Sequence, residues 1–133
     1  MPYLIDSDWV IDLLANVPEA LQLLDRLAQD GIAISIITYM EAYQGVERSP
    51  HPEEAHSKLR AFLESVPAIS LSPAVAQRCA YLRETLRKQD KRVNARSLDL
   101  IIAATALEYN LTGVTRNTED YADIPGLKLY RPS

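Results

Sequence analysis

Short apolar runs alternate with segments of helical periodicity along almost the whole chain. Runs of this kind, bounded by turn-forming residues, predict β-strands. They occur at residues 2–5, 32–36, 68–71, 112–115 and 127–130, and the last of them is expected to form an edge strand. Parallel strands need long crossover connections, which are usually helices. The alternation therefore predicts an α/β fold with a parallel sheet.

Capping residues support a set of helices between these strands. The helices are expected at residues 7–15, from 18 to before 31, at 38–47, around 59–63, from 73 into a basic stretch, and at 97–109. Ser7 and Ser72 are suitable N-caps, and Thr38 with Glu41 matches a capping box. Asn110 is suited to the left-handed conformation that often ends a helix.

Composition limits the class of protein. A length of 133 residues fits one domain, residues 1–133. The single cysteine, Cys79, excludes an internal disulfide and fits a reducing compartment. The N-terminus has no export-signal pattern, and no apolar stretch approaches the roughly 20 residues that span a bilayer. We therefore expect a cytoplasmic protein with no membrane-spanning part.

Four acidic residues lie where predicted strands give way to turns or helices. They are Asp6, Glu41, Asp99 and Asp120. In an open parallel sheet, ligands bind outside the carboxyl ends of the strands, so these side chains are expected to meet at one rim. Carboxylates gathered there repel one another unless cations neutralise them, and Mg²⁺ prefers oxygen ligands. The pattern favours a metal-dependent enzyme.

Each acid also has a purely structural interpretation. Asp6 could cap the first helix, although Ser7 or Asp8 could do so equally well. The capping box explains Glu41 completely. Asp99 lies in the first turn of its helix, where the helix dipole favours negative charge by about 0.3–1 kcal/mol. Asp120 could be a turn partner. The metal-ligand hypothesis rests on the four occurring together.

A basic stretch precedes Asp99. It comprises Arg83, Arg87, Lys88, Lys91, Arg92 and Arg96. One interpretation is a solvated helix face, and the other is a surface that contacts phosphates beside the acidic rim. The net charge of −4 argues against a protein that binds nucleic acid through overall positive charge.

Four segments together resemble PIN-domain ribonucleases, specifically the VapC toxins of prokaryotic toxin–antitoxin pairs. They are residues 3–8 (YLIDSD), 37–45 (ITYMEAYQG), 98–106 (LDLIIAATA) and 114–121 (VTRNTEDY). They occur in the family's order and span nearly the whole chain. The resemblance implies a three-layer α/β/α sandwich with a mainly parallel central sheet. It also implies an acidic pocket that binds Mg²⁺ or Mn²⁺ and cleaves RNA.

The resemblance assigns roles to individual residues. The family's acidic positions match Asp6, Glu41, Asp99 and Asp120. Of these, Asp6 and Asp99 would bind metal directly, and Asp120 would complete a metal site or hold metal-bound water. Glu41 would position or deprotonate the attacking water. The residues expected to support the carboxylates are Ser7, Asp8, Thr115 and Asn117.

Two positions depart from the family pattern. Asp8 stands where Asn is common, so it could strengthen metal binding or only cap the first helix. Tyr121 stands where Phe is usual.

The resemblance also implies partners. Family members commonly form homodimers, and a VapB antitoxin inserts a segment near the active site.

Two alternatives remain open from the sequence. Residues 6–10 (DSDWV) resemble the opening motif of haloacid-dehalogenase-type phosphatases, but no later lysine lies where that family needs one. The second alternative is a catalytically silent PIN module for RNA or protein binding. Loss of the acids would mark that case, and all four are present.

Overall fold

Five short strands form a parallel sheet at the centre of the molecule. The computed structural model describes residues 2–131. The strands are β1 (Tyr3–Ile5), β2 (Ile32–Ser35), β3 (Ala68–Ile69), β4 (Thr112–Val114) and β5 (Lys128–Leu129). Every pairing among these strands is parallel, and β5 lies at an edge as predicted.

Helices connect the strands in the alternating pattern that the sequence predicted. They are α1 (Ser7–Leu14), α2 (Pro18–Ala28), α3 (Ile36–Arg48), α4 (Pro52–Leu63), α5 (Pro73–Lys88) and α6 (Ser97–Glu108). Two short 3₁₀ helices, Asn94–Arg96 and Thr118–Asp120, precede α6 and follow β4. Within residues 2–131, no helix combines the length and apolar character needed to cross a membrane.

The strand order is β3-β2-β1-β4-β5. From β1 the chain adds β2 and β3 on one side and then β4 and β5 on the other, so the order switches between β1 and β4. Ligands of open α/β sheets bind at such a switch point, outside the carboxyl ends of the strands. Ile5 pairs with Val114 at the ends of β1 and β4, so the next residues, Asp6 and Thr115, emerge side by side. The amide of Asp6 donates to the carbonyl of Val114 at 2.9 Å, which extends this pairing by one step.

The sheet lies between two helical layers. Ile5 and Ile34 point into a core shared with α1, α2, α3 and α4. Leu4 and Ala33 point to the opposite side and pack with Ile102 of α6. Successive strand residues face opposite sides of a sheet, so these short strands are buried on both faces. The three-layer α/β/α arrangement is confirmed.

Two predicted caps were wrong. The side chain of Asp6, not Ser7, caps α1 by accepting from the Ser7 amide at 2.8 Å. Helix α3 begins at Ile36 rather than Thr38, because Ser35 is the N-cap and its hydroxyl accepts from the Thr38 amide at 3.1 Å. The capping box that accounted for Glu41 is therefore not formed. The predicted single domain, residues 1–133, extends beyond the described residues at both ends and stays a prediction.

Candidate active site

Asp6 lies at the switch point of the sheet and is 8% exposed. One carboxylate oxygen, Oδ1, accepts from the Ser7 amide, and Oδ2 accepts from the Thr115 hydroxyl at 2.7 Å. Burial raises the pKa of Asp6, and the negative charges of Asp99 and Glu41 raise it further, against the lowering effect of the two hydrogen bonds. Burial and the neighbouring acids therefore both disfavour the charged form of Asp6.

Glu41 projects from α3 toward the start of α1. The Ser7 hydroxyl donates to Glu41 Oε1 and also lies 3.5 Å from the Thr38 hydroxyl. Because Ser7 directly follows Asp6, this hydrogen bond joins the glutamate to the end of β1. Glu41 is therefore a member of the acidic group rather than a helix cap.

Asp99 occupies the first turn of α6, as predicted, and its Oδ1 accepts from the Tyr121 hydroxyl at 3.2 Å. Burial raises the pKa of Asp99, and so do the charges of Asp120 and Glu41, while the Tyr121 hydrogen bond and the charge of Arg96 oppose them. A helix-start aspartate that served only the dipole would have its charged form favoured. Here the surroundings disfavour that form.

Asp120 lies at the margin of the group, on the 3₁₀ helix after β4. Its side chain is 38% exposed, and Oδ1 accepts from an Arg92 guanidinium nitrogen at 3.1 Å. The main-chain carbonyl of Asp120 accepts from Arg96 at 2.8 Å. The charge of Asp120 nevertheless reaches the site, because it contributes to the raised pKa of Asp99.

The acidic side chains converge without forming a ready-made coordination shell. Within residues 2–131, no group of three or more His, Cys, Asp or Glu side chains is arranged to hold a metal ion. Asp6 and Asp99 are instead occupied by hydrogen bonds from Thr115, Ser7 and Tyr121. Their shared feature is electrostatic, since burial and like charge raise the pKa of both acids.

The supporting residues occupy different positions around Asp6. The Thr115 hydroxyl donates to Asp6 and accepts from the Asn117 amide at 3.1 Å. Asn117 makes no side-chain cap for its 3₁₀ helix and contributes through its main chain. Asp8 accepts from the amides of Trp9, at 2.8 Å, and Arg116, at 3.2 Å, so it secures the loop that carries Thr115.

Comparisons with known proteins agree with this geometry. The family model described as "PIN domain" matches residues 3–127. This chain belongs to the PIN domain family. A curated relative, "Ribonuclease VapC2" of Rickettsia felis, is 32% identical over 133 residues, covering 97% of this chain and 96% of the relative. The "tRNA(fMet)-specific endonuclease VapC" of Shigella flexneri is 27% identical, with 96% of each chain covered.

Solved structures give the same assignment. The crystal structure of VapBC2 from Rickettsia felis, bound to a DNA fragment from its promoter, matches with a TM-score of 0.85 and 29% identity over the whole of both chains. DNA-bound VapBC from Salmonella typhimurium matches with a TM-score of 0.86 and 25% identity, covering 98% of this chain and 97% of that one. The PIN-like fold and the VapC resemblance are confirmed.

The basic stretch of this PIN domain is largely paired. Arg96 is 4% exposed. Its guanidinium donates to both oxygens of Asp123 at 2.7 Å and to the Arg92 and Asp120 carbonyls. These contacts use four of its five N–H donors and the side chain is buried, so the structure offers no support for its predicted contact with RNA, which stays a prediction. No local sequence pattern identified Asp123, since the two partners are 27 residues apart.

The other basic residues remain accessible. Arg87 pairs with Glu84 and Arg92 with Asp120, but both side chains are about two-thirds exposed, at 67% and 65%. Arg83 donates to the Ser97 hydroxyl at 3.3 Å and to the side chain of Asn94 at 3.2 Å. Lys88 and Lys91 are exposed. Their contact with RNA stays a prediction.

Tyr121 is a site residue to which the sequence assigned no role. It is 3% exposed, and its hydroxyl donates to Asp99. Burial, together with the charges of Asp6 and Asp99, raises the pKa of Tyr121, so the hydroxyl keeps its proton and remains a donor. The only sequence signal was the departure from Phe, which adds one hydroxyl group at this position.

Proposed function

We propose that this chain is a divalent-metal-dependent endoribonuclease and the toxin of a VapBC-type toxin–antitoxin pair. One observation carries the enzymatic part of the proposal. Asp6, Glu41 and Asp99 come from three different elements, and their charges act together on the switch point of the sheet. Perturbed acids gathered at a ligand-binding edge are typical of functional sites.

The donor set fits a hard divalent cation. The residues that would hold Mg²⁺ or Mn²⁺ are Asp6, Asp99 and Asp120, which offer only oxygen ligands. Burial raises the pKa of Asp6 and Asp99 and the neighbouring negative charges raise it further, and a bound cation would offset that like-charge repulsion. A group of three side chains, which is absent among residues 2–131, is not required, because Mg²⁺ is commonly bound through one or two carboxylates and keeps several waters. When bound, such an ion activates water and neutralises charge on the phosphoryl oxygens.

The chain's own residues supply orientation and proton transfer. Glu41, held by the Ser7 hydroxyl, is placed to accept the proton of the attacking water. Thr115 and the Ser7 amide fix the two oxygens of Asp6, and Tyr121 orients Asp99. Hydrogen bonds from residues that do not themselves bind the metal determine the orientation of the residues that do.

The relatives support the proposed partners. Curated relatives are named ribonucleases or tRNA endonucleases, and similar structures are VapBC complexes. By analogy, we infer an RNA substrate, a VapB-type antitoxin as protein partner, a homodimer, and a cytoplasmic location. The PIN domain match over residues 3–127 removes the basis for the haloacid-dehalogenase alternative.

The test is RNA cleavage with two glutamates of α3 as a matched pair. We expect wild-type protein with Mn²⁺ to cleave RNA and to leave a small phosphomonoester intact. Glu41→Gln should abolish cleavage, whereas Glu47→Gln, on the exposed side of the same helix, should retain it. Equal loss in both variants, or turnover of the phosphomonoester alone, would contradict the proposal. A wild type that binds RNA without cleaving it would indicate the silent module.

A further inference from the structure

A cavity of about 730 Å³ borders the acidic site on the side of β4. The residue that joins them is Thr115, which lines the cavity and donates its hydroxyl proton to Asp6. A chain of nucleotides whose scissile phosphate lies at Asp6 would therefore have this cavity next to it. The basic stretch between Arg83 and Arg96 belongs to other elements, at the end of α5 and before α6.

The lining of the cavity is cationic in a protein whose net charge is −4. Arg26, Arg116 and Arg131 line it, and Glu19 is the one acidic residue in the lining. Arg26 donates to the Tyr130 hydroxyl at 3.0 Å, and within residues 2–131 no carboxylate lies within 4.0 Å of it. Its guanidinium is therefore available to an anion, and its planar fork matches the geometry of a phosphate.

Trp9 and Arg116 form a stacked pair in the wall of this cavity. The guanidinium carbon of Arg116 lies 3.9 Å from the centre of the Trp9 ring, and the same side chain forms an ion pair with Asp12. Trp9 is 8% exposed, and its indole Nε1 is buried with no hydrogen-bond partner among the described residues. A buried donor without an acceptor is costly, so Trp9 is held at this position at some expense in stability.

We propose that this cavity is a nucleotide subsite for single-stranded RNA. Arg26 contacts a phosphate, and the Arg116 plane, supported by Trp9, receives a base. RNA-binding proteins commonly stack unpaired bases on aromatic rings and on Arg guanidinium planes. The inference rests on the proposed ribonuclease function. It places the RNA that extends from the acidic site along the β4 side of the sheet.

Trp9 makes the subsite directly observable, because it is the only tryptophan in the chain. The probe is a short oligouridylate, titrated in EDTA so that binding is measured without turnover. Binding at the cavity should change Trp9 fluorescence, and a labelled version of the probe should give the same affinity by anisotropy. Arg116→Lys retains the positive charge but lacks the planar guanidinium on which a base can stack. It should therefore reduce the change in Trp9 fluorescence while leaving the salt dependence of binding almost unchanged.

Arg26 has a matched control. Arg26 and Arg48 both lie in the last turn of a helix, so Gln at either position removes the same favourable dipole interaction. Arg26→Gln should weaken binding roughly tenfold, as expected for a lost hydrogen bond to a charged group. It should also reduce the log–log salt slope by about 0.7. Arg48→Gln should leave both values unchanged, and thermal melts will show that both variants are folded.

The outcomes separate this inference from the proposed function. Cleavage of RNA by wild type with Mn²⁺, together with silent Trp9 fluorescence and equal affinities of the two Gln variants, would overturn the subsite alone. Binding that quenches Trp9 and depends on Arg26, without cleavage, would support the subsite and contradict the ribonuclease. Absence of both binding and cleavage would overturn both. A selective effect of an acidic peptide on Trp9 would assign the cavity to a protein partner instead.

Discussion

The buried ion pair between Arg96 and Asp123 should control the stability of the active-site edge. Arg96 is 4% exposed and makes a two-pronged contact with Asp123, both hydrogen bonds measuring 2.7 Å. The same guanidinium donates to the Asp120 carbonyl at 2.8 Å. The pair therefore joins the residue that precedes α6 to the segment that carries Asp120. Asp123→Ala would leave a buried guanidinium without its counter-ion.

The magnitude follows from burial. Breaking a fully buried ion pair costs about 3–5 kcal/mol, because the remaining charge is uncompensated. The Asp123 side chain is 28% exposed, so water can partly solvate the vacated position. We therefore expect a loss of about 2–3 kcal/mol in the free energy of unfolding. For a chain of this size the melting temperature should fall by roughly 6–12 °C.

The assay is thermal unfolding by circular dichroism, with Asp30→Ala as the control. Asp30 is an exposed turn residue that forms no ion pair among the described residues. The Arg96 guanidinium lowers the pKa of Asp123. The stabilisation is therefore present above the unfolded-state pKa of about 3.9 and is lost as pH falls through the lower folded-state pKa. The difference between wild type and variant should shrink below about pH 4. Equal melting temperatures at pH 7, or a difference that persists in acid, would refute the reasoning.

Three further predictions concern the site and the basic stretch. Asp99→Asn should leave metal-free stability unchanged or raise it in thermal melts at pH 7, because burial and like charge disfavour the ionised Asp99. A lower melting temperature would instead indicate that Asp99 serves only to stabilise α6 through the helix dipole. Tyr121→Phe should cost about 1 kcal/mol and raise the pKa of Asp99, measured by chemical denaturation and by NMR titration. Lys88 and Lys91 changed together to Ala should reduce the log–log salt slope of RNA binding by about 0.7 per lost contact, and an unchanged slope would leave a solvated face.

Periodicity was sufficient to predict the elements and the edge at which the acids meet. The hydrophobic periods of strands and helices differ, so each of the five strands and six α-helices was predicted. Parallel pairing follows because helices connect the strands. Asp6 and Asp99 were expected to lie near each other because the carboxyl ends of the strands and the adjoining helix starts lie at one edge, and the charge of Asp99 does act on Asp6. The ends of the elements were less accurate, and β3 is two residues long where four were expected.

The failures occurred where two neighbouring residues could serve the same role, or where a contact is remote in sequence. Ser35 and Thr38 are both suitable caps, and only the end of β2 decides between them. The helix then starts earlier, and Glu41 is released to accept from Ser7. Arg96 resembled its basic neighbours in the sequence. Its burial depends on Asp123, and no local pattern reveals a partner that far along the chain.

The metal requirement of RNA cleavage is the most direct test of the central claim, that Asp6, Glu41, Asp99 and Asp120 form one metal-dependent site. The measurement is cleavage of a labelled RNA by wild-type protein in EDTA, followed by addition of Mg²⁺, Mn²⁺ or Ca²⁺. We predict no cleavage in EDTA, recovery with Mg²⁺ or Mn²⁺, and no recovery with Ca²⁺, whose larger and looser coordination suits the site poorly. Undiminished cleavage in EDTA would contradict the account.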